Sequence, residues 1–165
     1  MITSDASPLI HLARVGRLVL LPQLYQTVAV PRPVWDEVAR PQENEASMFE
    51  QASRAWLEVR ELSREEEGAS TALGRQAKLD AGERAAIVLA ESLRTPLLTD
   101  DAVAVRVARS RGLETRWTTA VISDALRAGL LDRKGARDAV EDLVQSGLWI
   151  SPAVLVRILA ALEEP

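Results

Sequence analysis

Short β-prone runs alternate with helical segments through the first two-thirds of the chain, and this alternation constrains the fold more than any other feature. Met1-Ile2-Thr3 is a short apolar run that ends at Ser4-Asp5. Thr27–Val30 is β-rich and stops at Pro31, and Trp56–Val59 alternates apolar with polar residues. Pro96–Thr99 reads as a short buried strand ending at Asp100-Asp101, and Leu113–Trp117 as the last strand. Between these runs lie helical patterns. The first starts behind the cap-forming Ser4-Asp5, accommodates Pro8 in its first turn and reaches about Arg14 before Gly16 breaks it. The second covers Leu18–Tyr25, started or interrupted at Pro22. Pro33 opens the third, Val34–Ala39, and a polar stretch over Pro41–Asn44 precedes a fourth at Ala46–Ala55. Asp80 caps a helix over Ala81–Leu93 with a broad apolar face, and Val103–Arg111 is another that stops at Gly112. Ser63–Ala77, rich in charge and small residues, fits either a loop or an exposed helix. Past Thr119 the pattern is helical only, over 120–128, 133–146 and 152–163, with Gly129 and Gly147 as stops.

Strands separated by helices cannot pair as hairpins; they need crossover connections, which give a parallel sheet covered on both faces. The expected fold is therefore α/β, a central parallel sheet flanked by helices with a helical C-terminal extension. Residues 1–132 form the expected main domain, and 133–165 an extension packed on it. No internal repeat or low-complexity tract interrupts this order. No stretch is long or apolar enough for a membrane span, and Met1 leads into Ile2-Thr3-Ser4-Asp5 without a basic leader, which implies a cytoplasmic protein.

Open parallel sheets build their sites beyond the carboxyl ends of the strands. Here that rule points to the residues just after Thr3, Val30 and Thr99, and it lands on acids. Asp5 follows the first strand, Glu37 lies a helical turn past the second, and Asp100 and Asp101 follow the strand at 97–99. Glu83 stands in the first turn of the helix that feeds that strand. With no cysteine and only His11 for an imidazole, thiolate sites, zinc fingers and two-histidine metal sites are excluded. Any bound metal must be held by oxygen.

Carboxylates gathered in a cleft repel, and several would have to take up protons unless a divalent cation compensates them. Mg²⁺ and Mn²⁺ take oxygen ligands, and such a cation activates water and neutralises charge developing on a scissile phosphate. The chemistry indicated is metal-assisted phosphodiester hydrolysis. Each acid also has a purely local reading. Asp5 and one of Asp100 and Asp101 are good helix N-caps, worth roughly 0.5–2 kcal/mol. Glu83 complements a helix dipole, roughly 0.3–1 kcal/mol, and Glu37 fits a solvated helix face. The functional case rests on their joint placement.

At these residues the chain resembles the PIN-domain family of metal-dependent ribonucleases, in particular the VapC-like toxins of prokaryotic toxin–antitoxin pairs. Asp5-Ala6-Ser7-Pro8-Leu9-Ile10 looks like the family's opening motif, and Val30-Pro31-Arg32-Pro33-Val34-Trp35-Asp36-Glu37-Val38 like its second strand and the helix with the second acid. Gly82-Glu83-Arg84-Ala85-Ala86-Ile87 is similar to the third acidic motif, and Leu97-Leu98-Thr99-Asp100-Asp101 to the strand presenting the fourth. The likeness spans roughly residues 1–116. It implies an acidic quartet of Asp5, Glu37, Glu83 and Asp101 around Mg²⁺ or Mn²⁺, with Asp100 as a substitute for Asp101 and Ser7 helping to fix Asp5. It further implies an RNA substrate and a cognate antitoxin that silences the enzyme, with a homodimer as an expectation. The chain departs from the pattern after its last strand, where Thr115-Arg116-Trp117-Thr118-Thr119 lacks the usual glycine. Thr118 and Thr119 still offer hydroxyls there, and Asp124 is a further acid within reach of consideration.

A chain of net charge −4 needs local positive potential to hold RNA. Of its 20 basic residues only Lys78 and Lys134 are lysines. Arg106, Arg109 and Arg116 follow the acid at Asp101 and are the candidates for phosphate contact; Arg111 and Arg40 lie close by in sequence. Solvated helix surface is the competing reading. Trp117 is placed to stack on a base, or to pack in the core. His11 reads as a partly buried helix residue. No glycine-rich phosphate loop is present, which disfavours an NTPase. The rival from another class is a catalytically inactive PIN-fold interaction module. A phosphatase using Asp5 as nucleophile would carry a second aspartate where Ser7 stands.

Overall fold

The computed structural model describes residues 1–40 and 45–163. The polar run Pro41–Asn44 and the last two residues of the C-terminal extension lie outside the described residues. In chain order the elements are β1 (Ile2–Ser4), α1 (Ala6–Arg14), α2 (Leu20–Tyr25), β2 (Val28–Pro31), α3 (Arg32–Val38), α4 (Ala46–Ser53), β3 (Leu57–Arg60) and α5 (Arg64–Gln76). They continue with α6 (Ala81–Leu93), β4 (Leu97–Leu98), α7 (Ala102–Ser110), β5 (Thr115–Arg116), α8 (Thr118–Arg127), α9 (Arg133–Gln145) and α10 (Pro152–Glu163).

The sheet has five strands in the order β3-β2-β1-β4-β5, and every neighbouring pair is parallel. This is the expected α/β architecture. From β1 the chain steps outward to β2 and β3, then returns to the other side of β1 and continues through β4 to β5. The direction of winding therefore reverses between β1 and β4. A crevice opens at the carboxyl ends of two such strands, because their crossovers leave to opposite sides.

Successive strand residues point to opposite faces, and each face has its own core. Ile2, Val28, Val30 and Leu98 belong to the larger cluster, with Leu9 and Leu12 of α1, Leu21 of α2, and Val121 and Ile122 of α8. Leu97 turns the other way, into a smaller cluster with Leu73 of α5, Ala86 and Ile87 of α6, and Ala104 and Ala108 of α7. The extension is not a separate layer. Ala136, Ala139, Val140 and Leu143 of α9, together with Leu148 and Leu162, are buried in the larger cluster.

In three segments the structure settles or shifts the sequence expectation. Ser63–Ala77 folds as helix α5, because Ser63 Oγ accepts from Glu66 N while Glu66 Oε2 accepts from Ser63 N, a complete capping box. Pro22 sits inside α2, in its first turn, where the missing N–H has no intrahelical acceptor to lose. The last expected strand shrinks to Thr115–Arg116, and α8 starts at Thr118 instead of 120 because Asp100 accepts its backbone N–H. Gly112 and Gly147 end α7 and α9 at φ of +82° and +105°, a region an L side chain would resist. Among the described residues no helix is long and apolar enough to cross a membrane.

Leu143 is wholly buried in the same core as the strands. Leu143→Ala is expected to lower the stability of the whole chain by about 2–5 kcal/mol in one cooperative denaturation transition. Two separate transitions, only one of them shifted, would show that α9 and α10 fold independently.

Candidate metal centre

The site grows from the two strands on either side of the winding reversal. Asp5 follows β1 directly in extended conformation and caps α1, its Oδ1 accepting from Ala6 N at 2.8 Å. Its own N–H donates to Leu98 O of β4 at 3.0 Å, so β1 and β4 stay paired up to the site. The other carboxylate oxygen, Oδ2, accepts from Thr99 Oγ1 at 3.3 Å, and Thr99 Oγ1 accepts in turn from Asp101 N at 3.3 Å. One buried hydroxyl thus ties the acid after β1 to the acid after β4. Asp101 caps α7, with Oδ1 accepting from Ala104 N at 2.7 Å.

A third element closes from above. Asp80 caps α6 and forms a reciprocal box with Glu83: Glu83 N donates to Asp80 Oδ1 and Asp80 N donates to Glu83 Oε2, both at 2.8 Å. Gly82, between them, permits the approach. A Cβ there would stand 3.3 Å from Val34 Cγ2, 3.4 Å from Asp80 Oδ1 and 3.7 Å from Asp5 Oδ1. Val34 lies one turn before Glu37 on α3, so the same contact brings α3 and its half-buried acid to the site.

Electrostatics define which acids belong together. Burial is the main cause that pushes the Asp5 carboxyl up to about 7; the Ala6 N–H pulls against it, and the charges of Glu83, Asp80 and Glu37 add to the rise. Glu83 is raised by its own burial, opposed by the Asp80 N–H, and raised further by Asp80, Asp101 and Glu37. Asp5, Glu37, Glu83 and Asp101 therefore share one field. Asp80 is a further member that reads in the sequence as a cap only; the Asp-x-x-Glu spacing of a capping box was the signal that it stands beside Glu83.

Asp100 faces elsewhere. Its Oδ1 accepts from Thr118 N at 2.9 Å and its Oδ2 from Thr118 Oγ1 at 2.6 Å. Burial raises its pKa, and the Thr118 hydrogen bonds and the charge of His11 lower it; none of the other acids contributes. Thr118 thus supports Asp100, away from the Asp5 group. Ser7 makes no side-chain hydrogen bond among the described residues, and the residue that fixes Asp5 is Thr99, because the hydroxyl of β4's continuation faces Oδ2 directly. His11 is half-buried, with Nδ1 3.4 Å from Ser146 Oγ and a pKa lowered chiefly by burial.

The arginines divide as well. Arg109 Nε donates to Thr115 Oγ1 at 2.8 Å, and Arg116 pairs with Glu114 at 2.9 Å and Asp124 at 3.7 Å. Arg106 is exposed. Asp124 is neither a site acid nor a solvated one: it also pairs with Arg127 and accepts a long hydrogen bond from Tyr25 Oη at 3.4 Å.

The donor chemistry fits a hard divalent cation, since every candidate ligand is a carboxylate and a cation would offset the burial and, after it, the repulsion that keep a proton on Asp5. The present rotamers engage Glu83 and Asp101 in helix caps, and no three of the described Asp, Glu and His side chains surround one point.

This chain belongs to the PIN-domain family: the family model DUF3368, a PIN domain, matches residues 1–164. PIN domains are generally nucleases and typically use divalent metals, so the fold is that of phosphodiester hydrolases. A comparison with curated proteins finds no match.

Because the folded state holds the Asp5 proton up to about pH 7 and the unfolded chain releases it near 3.8, metal-free stability falls as pH rises through that interval. Asp5→Asn keeps an acceptor for Ala6 N but has no charge to bury. It is expected to flatten the slope and to be more stable than the parent at pH 8 by roughly 2–4 kcal/mol, read from urea melts in chelator.

Proposed function

We propose that the chain is a metal-dependent endoribonuclease that hydrolyses RNA phosphodiester bonds, and the toxin of a toxin–antitoxin pair. The observation that carries this reading is Asp5: a buried carboxyl at the reversal of the sheet, made costly to ionise by burial and by three neighbouring acids. A carboxyl in that state gains from a cation in place of its proton, and a purely structural cap has no need of such neighbours.

Asp5, Glu37, Glu83 and Asp101 would hold Mg²⁺ or Mn²⁺. When bound, the cation supplies water activation and neutralises charge on the scissile phosphate. The chain's own part is positional. Thr99 orients the Asp5 carboxyl and, through the Asp101 N–H, the start of α7. Glu83 and Asp101 have to give up the cap contacts they make to reach a common ion. Arg106, on the helix that Asp101 caps, is exposed and is the arginine best placed to meet a phosphate; Arg109 and Arg116 would meet one only by sharing their present partners.

The same reading takes residues 133–165 as an extension of the nuclease domain and the protein as cytoplasmic, with a cognate antitoxin and a homodimer as partners. The cap engagement of Glu83 and Asp101 favours one rival, the inactive interaction module.

Millimolar Mn²⁺ is expected to raise the melting temperature of the parent but not of Asp5→Asn, by mass action on the folded state. Thr99→Val keeps the shape of that buried side chain and loses its hydroxyl, and is expected to weaken Mn²⁺ affinity about 10–100-fold, as measured by titration against melting temperature. With Mn²⁺ the parent should fragment single-stranded RNA, and Asp5→Asn should do so at least about 100-fold more slowly. Absence of both metal stabilisation and cleavage in the parent would leave the interaction module as the better reading.

A further inference from the structure

We infer that the cavity between the start of α7 and the C-terminal extension is a base-binding pocket, in which Trp149 and Trp117 stack on a nucleobase of single-stranded RNA next to the carboxylate centre. This inference rests on the nuclease reading and specifies how that site takes its substrate.

The cavity measures about 470 Å³ and is walled chiefly by apolar groups: Trp117, Trp149, Ile150, Val154 and Ile158. That is the size and lining of a small-ligand site. Its two tryptophans are not core residues. Trp149 is 84% exposed and Trp117 37%, on a chain that buries most of its other large apolar side chains. A tryptophan left in water beside a cavity forgoes the burial of a large apolar ring. A planar aromatic ligand would recover that.

Position selects the ligand. Asp100 and Ala102 line the cavity on either side of Asp101, which shares the field of the acidic group. A nucleotide seated there would lie against residues that flank Asp101 in the chain, beside an Asp100 carboxyl that Thr118 holds. Charge agrees with position. Ala102 and Arg106 stand on one face of α7, four residues apart, and Val154 and Arg157 are three apart on α10. Both arginines are exposed and make no ion pair or side-chain hydrogen bond among the described residues. Aromatic platforms flanked by free guanidiniums are how proteins grip single-stranded nucleic acid irrespective of sequence. An apolar peptide segment would use the tryptophans but has no call on the arginines.

The test measures binding without cleavage. Quenching of tryptophan fluorescence is titrated in chelator with a short 2′-O-methyl oligoadenylate and with the same backbone carrying abasic positions. The parent is expected to bind the oligoadenylate more tightly than the abasic strand. Trp149→Ala, at a position too exposed to endanger folding, is expected to bind the oligoadenylate roughly 5- to 100-fold more weakly, the range for loss of one stacked base. It should also no longer distinguish the two strands, and Trp149→Phe should restore most of the difference. Val156→Ser, which removes another exposed apolar group two residues from Val154 on α10, should bind as the parent does. Equal binding of both strands by the parent, or unchanged binding by Trp149→Ala, would overturn the pocket. So would loss of self-association in sedimentation as the only effect of Trp149→Ala, since the face would then be a contact between copies. Cleavage plays no part in these readings, so a parent that binds bases through Trp149 but never cuts RNA would refute the nuclease and not the pocket.

Discussion

The hydroxyl of Thr99 is the contact on which the organisation of this molecule turns. It donates to Asp5 and accepts from the backbone of Asp101, so it joins the ends of the two strands between which the sheet changes its direction of winding. Parallel pairing carries β1 and β4 side by side to that point and no further. Beyond it the chain leaves as α1 on one side and α7 on the other, each capped by the acid that Thr99 holds. A cap, a strand end and a candidate ligand are here the same residue twice over. That economy has a cost, because the oxygens that terminate helices are the ones a cation would need.

The acids outside the two strands are brought in by α3 and α6, and what gathers them is packing of small groups. Gly82 and Val34 let the start of α6 rest on α3, and the two helices together roof the Asp5 carboxyl. Burial then does most of the electrostatic work, ahead of any single neighbouring charge. Asp100, one residue from Asp101, escapes this group because Thr118 takes both of its oxygens. Adjacent acids at one strand end are thereby sorted into different surroundings, one toward the shared field and one toward the cavity under the C-terminal helices.

Much of this was legible in the residues. The strand–helix alternation, the acids behind β1, β2 and β4 and the proline-opened α3 all follow from local rules, and the boundaries of α6 and α10 match their patterns. What was not legible depended on long-range partners. Ser7 has the right chemistry and the right proximity in sequence to fix Asp5, yet the partner comes from 94 residues away, since only the pairing of β1 with β4 puts Thr99 there. Asp80 was visible as a cap and not as a charge on Asp5, because that depends on how far α6 closes over the sheet. Asp124 looked like a surface acid; its arginine and tyrosine partners come from β5, its own helix and α2. The α5 helix was the exception. Its capping box was present in the residues but was masked by a run of like charges.

Gly82 leaves one geometric consequence. The start of α6 rests against Val34 and near Asp5 at a residue without a Cβ, so the closeness of roof and floor depends on an atom that glycine lacks. A methyl group there would stand 3.3 Å from Val34 Cγ2, closer than packed carbons normally sit, so the Val34 side chain or the start of α6 would have to give by a few tenths of an ångström. The spacing of the acidic site is in this sense written at a residue that has no side chain of its own.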